Sequence, residues 1–155
     1  MNYSLDDVDL TILASLQPDA RLQNTELAKK CGMAPSAVLE RVKKLEQKGI
    51  IKSYTTRIDP AALNLKLLAF IFIKSTDGLG CNVTGQKLAK IPEVQEVHHI
   101  AGEDCFLVKV RVEDSASLMK LMRNSLKKIP DILSTKTTIV LETVKEEQKV
   151  VIPKD

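Results

Sequence analysis

Apolar positions in the first fifty residues recur at helical spacing and are interrupted three times. In "SLDDVDLTILASLQ", Val8, Ile12, Leu13 and Leu16 make one stripe, the three-to-four spacing that gathers side chains on one helix face. Ser4 is the expected N-cap, with Asp6 and Asp7 in a first turn where the helix dipole favours anions, and Pro18 ends the segment. "NTELAKKCG" has a capping residue at Asn24 or Thr25, inward-facing Leu27, Ala28 and Cys31, and a stop at Gly32. "APSAVLERVKKLEQKG" has Pro35 in its first turn, a Val38, Val42, Leu45 stripe, and an exit at Lys48-Gly49. "IIKSYTTRID" then alternates and predicts a linking strand.

The pattern changes after residue 60. "KIPEV" at 90–94 recurs as "KIPDI" at 128–132, 38 residues later, and the same offset carries "FIFIK" (70–74) onto "VKVRV" (108–112). Both halves therefore read strand, helix, Lys-Ile-Pro, strand. "LLAFIFIKST" is the first strand, "NVTGQKLAKI" the first helix, and "VQEVHHI" and "CFLVKVRV" the second and third strands. "SASLMKLMRNSLKKI" is the second helix, with Ser115 as cap and Leu118, Met122 and Leu126 inward, and "ILSTKTTIVLETV" is the last strand. The order βαββαβ is the ferredoxin-like motif, a sheet with both helices on one face. In the first strand Leu68, Phe70 and Phe72 alternate with Ala69, Ile71 and Ile73, so both faces are apolar and both call for burial. The helices cover one face. A second copy of the same sheet is the simplest cover for the other, which predicts a homodimer.

The fold class is thus α+β. Residues 1–60 form a helix-turn-helix domain of winged type with a linking strand, and residues 61–155 a ferredoxin-like domain. Hydrophobic residues make up 44% of the 155, enough for a core, but aromatics are 3%, so that core is aliphatic. No apolar run approaches the ~18 residues of a membrane span. No signal-peptide pattern opens the chain. Cys31, Cys81 and Cys105 are odd in number and far apart, which points to a reducing cytoplasm and away from a disulfide framework.

Charge matters once located. The net charge is +3, yet residues 20–57 hold nine Lys/Arg against three acids, a local excess of +6. Such an excess suits a polyanion. It coincides with Ala28, Gly32 and Val38, the small residue, turn glycine and β-branched residue of a helix-turn-helix. The helix opening near Pro35 would lie in the major groove of double-stranded DNA, with Pro35, Ser36 and Ala37 nearest the bases. Glu40, Arg41 and Lys44 follow on faces read as outward, and the guanidinium of Arg41 is the candidate for a guanine edge. Lys29, Lys43, Lys44 and Arg57 are phosphate candidates, and Thr25 is a further DNA-binding candidate.

"HHIAGEDCF" (98–106) holds both histidines of the chain, two carboxylates and a thiol. Adjacent residues on a strand point to opposite faces, so His98 and His99 cannot share one metal ion. No orienting group or oxyanion device accompanies Cys105. No metal, cofactor or enzymatic activity is expected. Gly102, Glu103, Asp104 and Cys105 instead form a hairpin-end loop, where free backbone N–H groups hold a carboxylate and the acids an ammonium, the chemistry of an amino-acid pocket.

The stretches "LDDVDLTIL", "NTELAKKCGMAPSAVLERVKKLEQKGII" and "VLETVK" resemble the Lrp/AsnC, or feast/famine, transcriptional regulators, over about Leu5 to Pro153. The resemblance implies a cytoplasmic, sequence-specific DNA-binding regulator with a RAM-type ferredoxin-like domain. That domain would dimerise, often onward to octamers, and bind an amino acid at an interface between dimers. Two positions depart from the family pattern. Ala34 stands where many members have an N-capping serine, and Cys105 stands at the aspartate of a Gly-x-x-Asp-aromatic loop whose Gly102 and Phe106 match. An effector-independent DNA-organising regulator is the alternative function, and a stand-alone amino-acid-binding module a more distant one.

Overall fold

A computed structural model of the chain describes residues 4–77 and 82–153; Cys81 lies outside the described residues. The chain divides into two compact units, one running to Arg57 and resuming from Lys145 onward, the other Ile58–Val144.

The first unit packs α1 (Asp7–Leu16), α2 (Asn24–Cys31) and α3 (Pro35–Gln47). Its core is the set of stripes read from the sequence: Ile12, Leu27, Ala28, Val38, Val42 and Leu45 are all buried, with Val8, Leu13, Leu16 and Cys31 packed against them. Gly32 closes α2 at φ 62°, ψ 32°, the left-handed conformation that glycine adopts without steric cost. The N-caps differ from those expected. Asp6 caps α1 in place of Ser4, with Asp6 and Asp9 forming a reciprocal capping box. Gln23 precedes α2 without a side-chain cap bond, in place of Asn24 or Thr25. Ala34 stands at the cap of α3, also without one.

The segment 50–59 is in no strand, contrary to expectation. Its alternation specifies an extended path, but a strand also requires a neighbour to share its hydrogen bonds. Tyr54 instead donates its hydroxyl hydrogen to Glu46 on α3 at 2.8 Å. Residues from Lys145 onward, read in the sequence as the end of the second domain, group with the first. The Gln17 side chain on α1 explains this: its amide donates to the Val150 carbonyl at 2.9 Å and accepts from the Val150 N–H at 2.8 Å. A side-chain amide here pairs with backbone as a strand would.

The second unit is an antiparallel sheet in the order β2-β3-β1-β4, with β1 Leu67–Ser75, β2 Val94–His99, β3 Phe106–Val112 and β4 Ile132–Ile139. The helices α4 (Val83–Leu88) and α5 (Ser115–Asn124) complete the βαββαβ order. Asp114 caps α5 through the Ser117 N–H, displacing the expected Ser115 by one position. Ala69, Ile71, Ile73, Val108, Val110 and Phe106 join Leu88, Leu118, Leu121 and Leu126 in the core.

Candidate nucleic-acid interface and effector loop

The core stripe of α3 sets what its other side presents. With Val38, Val42 and Leu45 buried, Ser36, Leu39, Glu40, Lys43 and Gln47 are exposed along the opposite side. Their spacing is that of one helix face. Pro35 is exposed and Ala37 half-buried at the N-terminal end, while Lys44 lies exposed on the flank. Thr25 and Lys29 are exposed on α2. Lys43 lies 3.4 Å from Glu40, one turn back. Leu39 was missed in the sequence reading. At 37% exposure it sits between Ser36 and Lys43, where an apolar side chain can meet a thymine methyl. Its signal was legible, because it falls outside the Val38, Val42, Leu45 stripe.

Arg41, expected on an outward face as the candidate for a guanine edge, is 31% exposed and engaged by two carboxylates of α1. Its Nη1 donates to Asp6 Oδ2 at 2.7 Å and to Asp9 Oδ1 at 2.9 Å. Asp9 is 1% exposed. Asp6 is held below the ordinary carboxylate range, first by the Asp9 backbone N–H and then by the guanidinium; the two carboxylates in turn raise Arg41. Arg57 is engaged as well. Its Nη2 donates to the Glu146 carbonyl, and Nη1 lies 3.6 Å from the Glu147 carboxylate, although the side chain stays 69% exposed.

On the sheet face away from Ala69, Ile71 and Ile73, Leu68 is buried while Phe70, Phe72 and Leu107 are half-buried. Lys136 Nζ lies 6.0 Å from the centre of the Phe72 ring. Glu96 accepts from Lys109 and lies against His98, each at 3.1 Å. His99 turns the other way and stacks on buried Phe106 at 4.9 Å between ring centres. The two histidines are therefore divided by the sheet, and among the described residues no cluster could hold a metal ion.

In the loop between β2 and β3, Gly102 (φ 155°) and Glu103 are exposed and Asp104 is half-buried. Cys105 is anchored inward. Its N–H donates to the Ile73 carbonyl at 2.9 Å, and its Sγ lies 3.5 Å from the Ser75 nitrogen and 3.6 Å from the Ser75 oxygen. Its thiol therefore braces the loop on the end of β1, beside the exposed Gly102-Glu103 edge.

Residues 5–52 match the winged helix-turn-helix DNA-binding family, and residues 68–150 match the Lrp/AsnC ligand binding domain. This chain belongs to the Lrp/AsnC family of transcriptional regulators. The Lrp/AsnC protein described here is 38% identical over 151 residues to the leucine-responsive regulatory protein of Escherichia coli K12, covering 96% of this chain and 92% of that one. The structure of Escherichia coli AsnC superposes with a TM-score of 0.86 at 30% identity, covering 97% of this chain and all of the other. The feast or famine regulatory protein of Mycobacterium tuberculosis, complexed with L-methionine, gives 0.87 at 32% identity over 97% of this chain and 100% of that one. The winged helix-turn-helix and ferredoxin-like architecture, and a DNA-binding regulatory function without enzymatic activity, follow from this membership. Among the described residues no helix is long and apolar enough to cross a membrane.

Proposed function

We propose that this Lrp/AsnC regulator acts in the cytoplasm as a homodimer or a higher assembly such as an octamer, with α3 in the major groove, and that an amino acid at the ferredoxin-like domain tunes its DNA occupancy. The observation that carries the reading is the uninterrupted exposed face of α3. Ser36, Leu39, Glu40 and Lys43 are the groove residues on it, and Pro35 and Ala37 lie at the entry. Thr25, Lys29 and Lys44 are phosphate contacts, and Arg57 joins them when released from Glu146 and Glu147. The half-buried Phe70, Phe72 and Leu107 support a dimer through the open sheet face, since two-fold symmetry would pair two α3 helices with a near-palindromic site. The mycobacterial relative's complex with L-methionine supports the amino-acid class of effector, with Gly102, Glu103 and Asp104 binding its charged ends. The effector shifts occupancy only by its differential affinity for the assembly states.

Two measurements test this. Affinity for a fragment of the protein's own promoter should fall steeply with salt, and each lost phosphate contact should reduce the slope by about 0.9. A panel of amino acids should include one that raises the unfolding free energy by about 2.7 kcal/mol at a hundred times its Kd. The inward thiol of Cys105, at the family's aspartate position, favours a second reading: regulation without an amino-acid effector. No stabilisation by any amino acid at millimolar concentration would select it.

A further inference from the structure

We propose that Arg41 is a positioning residue, set by Asp9 and Asp6 to hold α3 at the rotation its groove face requires, and that it makes no contact with DNA. The inference rests on the reading of α3 as the groove helix. Asp9 is 1% exposed and lies 2.9 Å from the guanidinium, which also reaches Asp6 at 2.7 Å. Removing the cation from a desolvated carboxylate is costly, so a phosphate or base edge must outcompete two carboxylates already in place. Both acids belong to the capping box of α1, whose backbone N–H groups fix their directions. The pair therefore ties the first turn of one helix to the middle of another. A turn of α3 about its axis by one residue would swing its exposed face by about 100°. The Tyr54–Glu46 hydrogen bond of 2.8 Å holds the far end of the same helix. Lys43 and Ser36 can then meet DNA in register.

The test is binding of the full-length protein to a promoter fragment and to unrelated DNA, across a salt series and well below the melting temperature. Asp9→Asn removes a negative charge, so electrostatics alone would tighten binding. Positioning predicts roughly a tenfold loss of promoter affinity, the scale of one lost base-pair discrimination. The salt slope should stay at the wild-type value and the affinity for unrelated DNA should not fall below it, since nonspecific binding needs charge but not register. Arg41→Lys should show the same selective loss, and the double variant should be no weaker than either single one. Partial unfolding would instead lower both affinities together, which overturns the proposal. So does wild-type or tighter promoter binding by Asp9→Asn, or a fall of about 0.9 in the salt slope on changing Arg41 to Ala, the mark of a direct phosphate contact. If Asp9→Asn does not fold, Asp6→Asn on the exposed side of the guanidinium decides by the same criteria. Lys43→Ala tests the underlying reading separately: an unchanged affinity and slope there removes α3 from the groove, whatever Arg41 does.

Discussion

Arg41 lies three positions after Val38 and four before Leu45, both fully buried. Helical periodicity therefore roots it beside the core stripe. That much was legible in the sequence, although basic character and proximity to the groove argued for an outward role. Its partners were not legible, because Asp6 and Asp9 approach only when α1 and α3 pack. Arg41→Ala should destabilise the first unit by about 2 kcal/mol, less than for a fully buried pair because the guanidinium remains partly solvated. Lys43→Ala should stay within about 0.5 kcal/mol. Urea unfolding followed by circular dichroism compares the two. Tyr54 carries a pH signature. Partial desolvation, then the Glu46 carboxylate, push its pKa up to about 12 from 10, although Tyr54 is 48% exposed. The folded state thus holds this proton more tightly than the unfolded one. The associated stability is complete below pH 10 and is lost as pH rises toward 12. Tyr54→Phe should flatten the difference between unfolding curves measured on either side of that interval.

At the scale of elements, stripes were better guides than caps. Every helix of the helix-turn-helix packs the residues its period selects in or against the core, with Val8, Leu13, Leu16 and Cys31 only partly buried, but Asp6 and Asp114 cap where Ser4 and Ser115 were expected. In both cases a carboxylate within two positions of the expected serine accepts a backbone N–H and faces the positive end of the dipole. Only the local chain path decides which of two nearby residues does so. The missing side-chain cap at Ala34 was legible, and it gives a direct test. Ala34→Ser should stabilise the protein by about 1 kcal/mol through a new bond to the first turn of α3. An unchanged thermal midpoint would show that Pro35 already organises the turn. The segment 50–59 shows the converse limit. Alternation pointed to a strand there, but strand pairing is a relation between two segments and no single segment encodes it.

For the whole molecule, the two-faced β1 is the most consequential pattern. Its inner residues, Ala69, Ile71 and Ile73, are fully buried, while Phe70 and Phe72 on the other face remain half-buried. Light scattering should therefore report at least two chains per particle. Phe72→Asp should shift it toward one chain, since its carboxylate suits solvent and nearby Lys136 but not a sheet-to-sheet contact.

The sequence by itself determined the order of the helices and of the four sheet strands, the helix-turn-helix with its glycine turn, and the βαββαβ domain through a 38-residue repeat. These follow from periods and turn residues, which are properties of the local backbone. Tertiary structure alone decided that Arg41 serves Asp9, that the thiol of Cys105 turns toward Ser75, and that the chain beyond Lys145 returns to Gln17 on α1. Each is a meeting of groups far apart in the chain, and such a meeting depends on how packed elements approach, which periodicity does not specify.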